Sequence, residues 1–172
     1  RVWQELLPLL KVGTLTAHNL LFDYGFVKSE YNHLGIDFVR PQTQQMCTVI
    51  LSRLMLPDLP SRRLPDLVRH FQFPVGRSHR AEADTMACWL LAKMLLTEIQ
   101  NESDDVLMER FARQWITLGD AAVILGCSGR QARNHLHKTG IKPRLVGHNR
   151  TPMYQRGQVE QLISVSYAVQ LS

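Results

Sequence analysis

Two aspartates and a histidine are the residues of this chain best suited to hydrolytic chemistry. Asp84 follows His79 by five residues in His79-Arg80-Ala81-Glu82-Ala83-Asp84, and Asp23 stands in Ala17-His18-Asn19-Leu20-Leu21-Phe22-Asp23-Tyr24-Gly25-Phe26. Phosphodiester hydrolysis draws on these side-chain types. Carboxylate oxygens hold hard divalent ions such as Mg2+, a pair of ions clamps the attacking and leaving oxygens, and a neutral imidazole takes the proton of the attacking water. Taken singly, each residue has a plainer explanation: Asp23 as a charge favoured by a helix start, His79 as a histidine in a first turn. Glu30, Asp66 and Glu82 read as solvated surface charges. The two constellations gain weight together, in order along the chain and with an amphipathic helix after the second.

The elements that must position these residues can be read from periodicity and punctuation. Val2 to Leu10 reads as the end of a helix weakened by Pro8, and Gly13 to Ala17 as a short buried strand. Asn19 is the expected N-cap of a helix reaching about Leu34, with Phe22 and Phe26 one turn apart and Gly35 as the stop. A proline-containing loop leads to a helix over Cys47 to Leu56, ended by Pro57-Asp58-Leu59-Pro60-Ser61, and a further helix covers Leu64 to Phe71. The strongest pattern runs from Arg80 to Gln100. There Ala83, Met86, Ala87, Leu90, Leu91, Met94 and Leu95 recur at helical spacing, which makes Met86, Trp89 and Met94 core or domain-contact residues. Asp84 lies beside that stripe, at the rim of the core and facing a cleft. The acidic run Gln100 to Asp105 opens an expected linker over residues 101–112.

The pattern A-H-N-x-x-F-D-x-x-F, followed some fifty residues later by H-x-A-x-x-D, resembles the second and third motifs of the DEDDh exonucleases, typified by the proofreading epsilon subunit of bacterial DNA polymerase III. The resemblance covers about residues 1–98 and implies an RNase H-like α/β fold, mostly helical here. By it, Asp23 and Asp84 are metal-site carboxylates for Mg2+ or Mn2+, two ions in the complete domain, and His79 is the general base. Phe22 and Phe26 would form the core beneath the site, while His18 and Asn19 shape the turn. That family's first motif, D-x-E, occurs nowhere in this sequence. The expectation is an N-terminally truncated domain whose first strands lie upstream of Arg1, inactive alone, with the strand before His18 left without a neighbour and prone to self-pairing.

Charge separates the chain into two parts. Residues 113–172 hold eight basic and two acidic side chains, net +6, whereas residues 1–112 hold twelve and thirteen, net −1. A basic excess confined to one segment points to a nucleic-acid module. Within it, Thr117-Leu118-Gly119-Asp120 reads as a capping box opening a helix from Asp120 to Leu125. Ser128 caps a second helix that ends at Gly140. This segment resembles the MerR-like and excisionase-like winged helix-turn-helix families through Leu118-x-x-Ala121-Ala122-x-x-Leu125-Gly126, Ser128 and Met153-Tyr154-x-Arg156-x-x-Val159. The resemblance implies Arg130, Gln131, Arg133 and Asn134 on a recognition helix and Arg144, His148, Asn149 and Arg150 on a wing, with duplex DNA as the partner. A solvated basic face on a protein-binding module is the other explanation.

Cys47, Cys88 and Cys127 show no C-x-x-C spacing, which excludes a disulfide framework and a structural zinc site and fits a reducing compartment. No apolar run reaches the roughly 18 residues of a membrane span. The expectation is thus a soluble, cytoplasmic protein: an exonuclease domain (1–100), a linker (101–112) and a helix-turn-helix domain (113–172). It would act on single-stranded DNA 3' ends, in company with a DNA polymerase or repair complex. A non-catalytic DNA-binding adaptor and an RNA 3'-5' exonuclease are the alternatives.

Overall fold

The computed structural model describes the backbone of residues 2–76 and 81–170 and the side chains of those residues up to 163. Its contacts divide the chain into two compact units, Arg1–Arg53 with Asp58–Asn101, and Leu54–Pro57 with Glu102–Ser172. Among the described residues, no helix is long and apolar enough to cross a membrane.

The first unit contains helix α1 (Val2–Leu10), strand β1 (Leu15–Ala17), helix α2 (Leu20–His33), strand β2 (Gln45–Cys47), and helices α3 (Thr48–Met55), α4 (Leu64–Phe71) and α5 (Ala81–Asn101). β1 and β2 pair in parallel, Leu15 opposite Gln45 and Ala17 opposite Cys47. Parallel neighbours need a crossover of a dozen or more residues, and α2 supplies it. This pairing gives the first strand one neighbour, while among the described residues its other edge carries no strand. It corrects the helix expected from Cys47, which ends β2 instead; a three-residue strand merges into the apolar run of α3 and leaves no period of its own.

Aromatic contacts tie α1 to α2. Tyr31 is fully buried, its ring stacked 5.1 Å from Phe38 and 5.5 Å edge-on from Trp3, and its hydroxyl donates to the Trp3 carbonyl at 2.6 Å. Such pairs add about 0.5–1.5 kcal/mol beyond their buried area. Buried Arg40 donates to the Lys11 and Gly13 carbonyls and so fixes the chain as it enters β1. Asn19 stands before α2, but its side chain makes no capping bond; the residue instead takes a left-handed turn at φ 75°. Gly35, at φ 71°, ends the helix as expected.

α5 buries Ala83, Ala87, Cys88, Leu91, Ala92 and Leu95. The core face is therefore rotated from the expected one: Met86 and Trp89 are 48% and 57% exposed. Phe22 and Phe26, expected beneath the site, are also exposed, at 73% and 56%. Asp66, expected to be solvated, accepts a hydrogen bond from the Ser61 hydroxyl at 2.6 Å.

The second unit contains α6 (Asp104–Ala112), β3 (Trp115–Thr117), α7 (Leu118–Ile124), α8 (Gly129–Lys138), β4 (Arg144–Val146), β5 (Thr151–Gln155) and α9 (Arg156–Gln170). The residues 101–112 expected as a linker are mostly the helix α6, which packs against α9 where Gly157 meets Ala112. Its first turn carries Asp104 and Asp105, charges that read as linker polarity in the sequence but suit a helix N-terminus. The strands form an antiparallel sheet in the order β3-β5-β4. Ile116, Ala121, Leu136, Tyr154 and Val159 make its core. Both expected caps are present as reciprocal boxes, Thr117 with Asp120 and Ser128 with Gln131, although α7 begins two residues before Asp120.

Candidate functional site

A cleft of about 750 Å³ opens in the first unit between the end of β1, the start of α2 and one side of α5. Asp23 lies in the first turn of α2 and Asp84 in the first turn of α5, and both line this cleft. Two carboxylates far apart in the sequence thus reach one concave surface. Asp23 is exposed and Asp84 half-buried. His79 lies outside the described residues.

His18, also on the cleft wall, has both ring nitrogens committed. A carbonyl only accepts, so Nε2–H donates to the Arg62 carbonyl at 2.9 Å. In the neutral ring Nδ1 then accepts from the Thr48 hydroxyl at 2.9 Å. Burial pushes the His18 pKa below its usual value, against the Arg62 bond and the Asp23 charge, and so favours that neutral form. The Cys88 thiol and Thr48 Oγ1 are hydrogen-bonded at 3.6 Å, and burial pushes the thiol pKa up against that bond, with smaller contributions from Asp23 and Cys47. This chain of bonds links β1, α3, α5 and the segment before α4 beneath the cleft. His18 therefore works as a structural tie rather than as a free base.

Burial alone would raise the Cys47 thiol. Backbone N–H groups of Ile50, Leu20, Val49 and Asn19, at the starts of α2 and α3, outweigh it and hold the thiol below its ordinary range.

The donor set can be tested for metal chemistry. Among the described residues, no group of three or more His, Cys, Asp and Glu side chains is arranged to hold a metal ion. Two carboxylates beside an open cleft nevertheless fit a hard ion such as Mg2+, which typically takes one or two carboxylates and completes its shell with water and substrate phosphate. They fall short of a two-ion site.

In the second unit Arg130, Gln131, Arg133, Asn134, Arg144 and Arg150 are all exposed. Gln131 is partly committed, since its side-chain oxygen accepts from the Ser128 backbone N–H at 3.0 Å and hydroxyl at 2.8 Å. The Arg144 guanidinium lies 5.5 Å from the Trp115 ring centre, a contact that the sequence does not signal.

A family model described as an exonuclease matches residues 1–92, more than half of the chain. The chain belongs to this exonuclease family, whose fold is RNase H-like α/β. It is similar to the 3'-5' exonuclease DinG of Bacillus subtilis, 32% identical over 99 residues that make up 58% of this chain and 10% of that protein. It is also similar to the PolC-type DNA polymerases III of Listeria innocua (29% over 107 residues, 62% of this chain, 7% of that protein) and Caldanaerobacter subterraneus (31% over 116 residues, 63% and 8%). The chain thus spans a tenth or less of the length of these relatives. No solved structure matches it.

Proposed function

We propose that the first unit carries part of a DNA 3'-5' exonuclease site and the second a winged helix-turn-helix that holds duplex DNA. The observation that carries the first part is the meeting of Asp23 and Asp84 on one cleft. Their oxygens would hold Mg2+ or Mn2+ against the phosphate of a 3'-terminal nucleotide. When bound, such an ion draws charge off the scissile phosphate and lowers the pKa of a coordinated water. His18 holds the wall of the cleft with both ring nitrogens committed, and the resemblance to the DEDDh exonucleases gives the proton of that water to His79. With Asp23 and Asp84 but no D-x-E motif, hydrolysis by this chain alone is expected to be slow or absent. The similarity to a 3'-5' exonuclease, DinG, and to PolC-type DNA polymerases III favours DNA and a replication or repair setting.

Mn2+ binding followed by electron paramagnetic resonance tests the site. One ion per chain is expected, tightened by thymidine 5'-monophosphate and weakened about tenfold or more by Asp84→Asn or Asp23→Asn, since even outer-shell changes cost that much. Binding that ignores both substitutions would remove the cleft from the chemistry. The short donor set favours one second reading, a non-catalytic DNA-binding adaptor. Complete loss of ion binding at millimolar Mn2+ would select it. Digestion of 3'-labelled single-stranded DNA against RNA, with His79→Ala as the control, separates the two nucleic acids.

A further inference from the structure

Arg144 is an exposed cation at the start of the edge strand β4, and the ring that meets it stands on the opposite edge strand of the same sheet. β5 lies between β3 and β4, with Trp115 opposite Gln155, Thr117 opposite Met153 and Arg144 also opposite Met153. Residues directly opposite share a face of the sheet, and alternate residues along a strand return to it. Trp115, Thr117, Met153, Gln155 and Arg144 therefore stand on one face, while Ile116 and Tyr154, both in the core, stand on the other. On the outer face Arg144 reaches diagonally across β5 and brings its guanidinium 5.5 Å from the centre of the Trp115 ring, inside the ~6 Å of a cation–π contact.

The carboxylates around this arginine are already engaged. Asp120 and Glu160 are the two acidic residues of 113–172. Asp120 accepts from the Thr117 backbone N–H at 3.0 Å and hydroxyl at 2.7 Å, and Glu160 accepts from Arg156 at 2.6 Å. Among the described residues Arg144 takes part in no ion pair. Contact with a ring uses the flat face of a guanidinium and leaves its N–H fork for a planar or tetrahedral anion. In a segment of net +6 the anion that suits the fork is one of a series, as in a phosphodiester backbone. A long side chain that must be ordered on binding costs affinity, and one already held does not.

We propose that Trp115 is a positioning residue for the DNA contact of the second unit: its ring holds Arg144 on the outer face of the sheet, so that the guanidinium meets a backbone phosphate already ordered. The assignment rests on the helix-turn-helix reading and adds to it a residue outside both α8 and the β4–β5 hairpin. Trp115 suits the task by its place, on a strand paired with β5 and two residues before the Thr117 cap of α7. β4 pairs with β5 alone, so the contact ties the hairpin to β3 as well.

The test is a double-mutant cycle on the full chain, with a fluorescein-labelled DNA duplex of mixed sequence titrated by anisotropy in EDTA over a range of salt. Arg144→Ala should weaken binding to all sequences alike and reduce the magnitude of the log-log salt slope by about 0.9, the share of one phosphate on a duplex. Trp115→Leu leaves the charge in place. It should keep the slope and weaken binding about two- to tenfold, the ordering cost of one long side chain. Trp115→Phe, which retains a ring, should keep most of the affinity. In the Arg144→Ala background Trp115→Leu should cost nothing further. A merely structural Trp115 would cost as much there as in the wild type, and that additivity would overturn the proposal. Duplex binding that responds to Arg130→Ala but is indifferent to Arg144→Ala and Trp115→Leu would overturn it too, and would leave the α8 contact standing. Absence of duplex binding, whether or not a polyglutamate probe binds in its place, would overturn the helix-turn-helix reading and this inference with it.

Discussion

His18, expected with Asn19 to shape the turn before Asp23, ties the cleft wall together through both of its ring nitrogens. The ring bridges the Arg62 carbonyl and the Thr48 hydroxyl. Burial lowers its pKa in the folded chain from the ordinary value of about 6.5. The unfolded chain therefore takes up the proton first as pH falls. The stabilisation from a neutral His18 is complete above the unfolded pKa and is lost as pH drops from about 6.5 through the folded value. Urea midpoints measured from pH 7.5 to 5 should decline over that window, and His18→Gln should flatten part of the decline. A wild-type profile that rises toward acid, or one that His18→Gln leaves unchanged, would show that the ring is not held neutral by the fold.

The short connections were the hardest elements to read. β2 has three residues and no alternation of its own, and what identifies it is its register against β1, a fact of pairing rather than of sequence. Conversely, the capping boxes at Thr117 and Ser128 were legible because a cap is local: donor and acceptor sit three residues apart whatever surrounds them. The contact of α6 with α9 falls between these cases. A Cβ added to Gly157 would stand 2.8 Å from Ala112 Cβ and 3.1 Å from the Ala112 carbonyl oxygen, so even alanine forces backbone to move. Gly157→Ala should cost about 1–3 kcal/mol of stability in the second unit, the usual range for overpacking. Hydrogen exchange of the α8 and β5 amides measures it, and Ala112→Gly in the same chain should return part of the loss. Unchanged exchange would mean that the two helices separate at little cost.

Across the chain, the exonuclease part was legible from two motifs that each look ordinary alone, because joint spacing constrains a fold more than any single residue does. What stayed hidden was which face of a helix is covered: Phe22, Phe26, Met86 and Trp89 follow an apolar period yet meet water, since burial depends on neighbouring elements and not on the period itself. The charge pattern, in contrast, is a property of composition alone, and what it implies for function rests on the proposed helix-turn-helix reading. Net +6 over residues 113–172, with Arg130 and Arg133 exposed on α8, predicts duplex binding dominated by released counterions. Because the Gln131 oxygen is held by the Ser128 cap, its substitution should loosen α8 more than it alters base preference. Arg130→Ala should reduce the magnitude of the salt slope of duplex binding by about 0.9 and weaken all sequences alike if the arginine meets a phosphate. If it meets a base edge, the loss should concentrate on one base pair and amount to about 1–3 kcal/mol of discrimination. A slope and affinity untouched by both Arg130→Ala and Arg133→Ala would return α8 to a solvated face and point the second unit toward a protein partner.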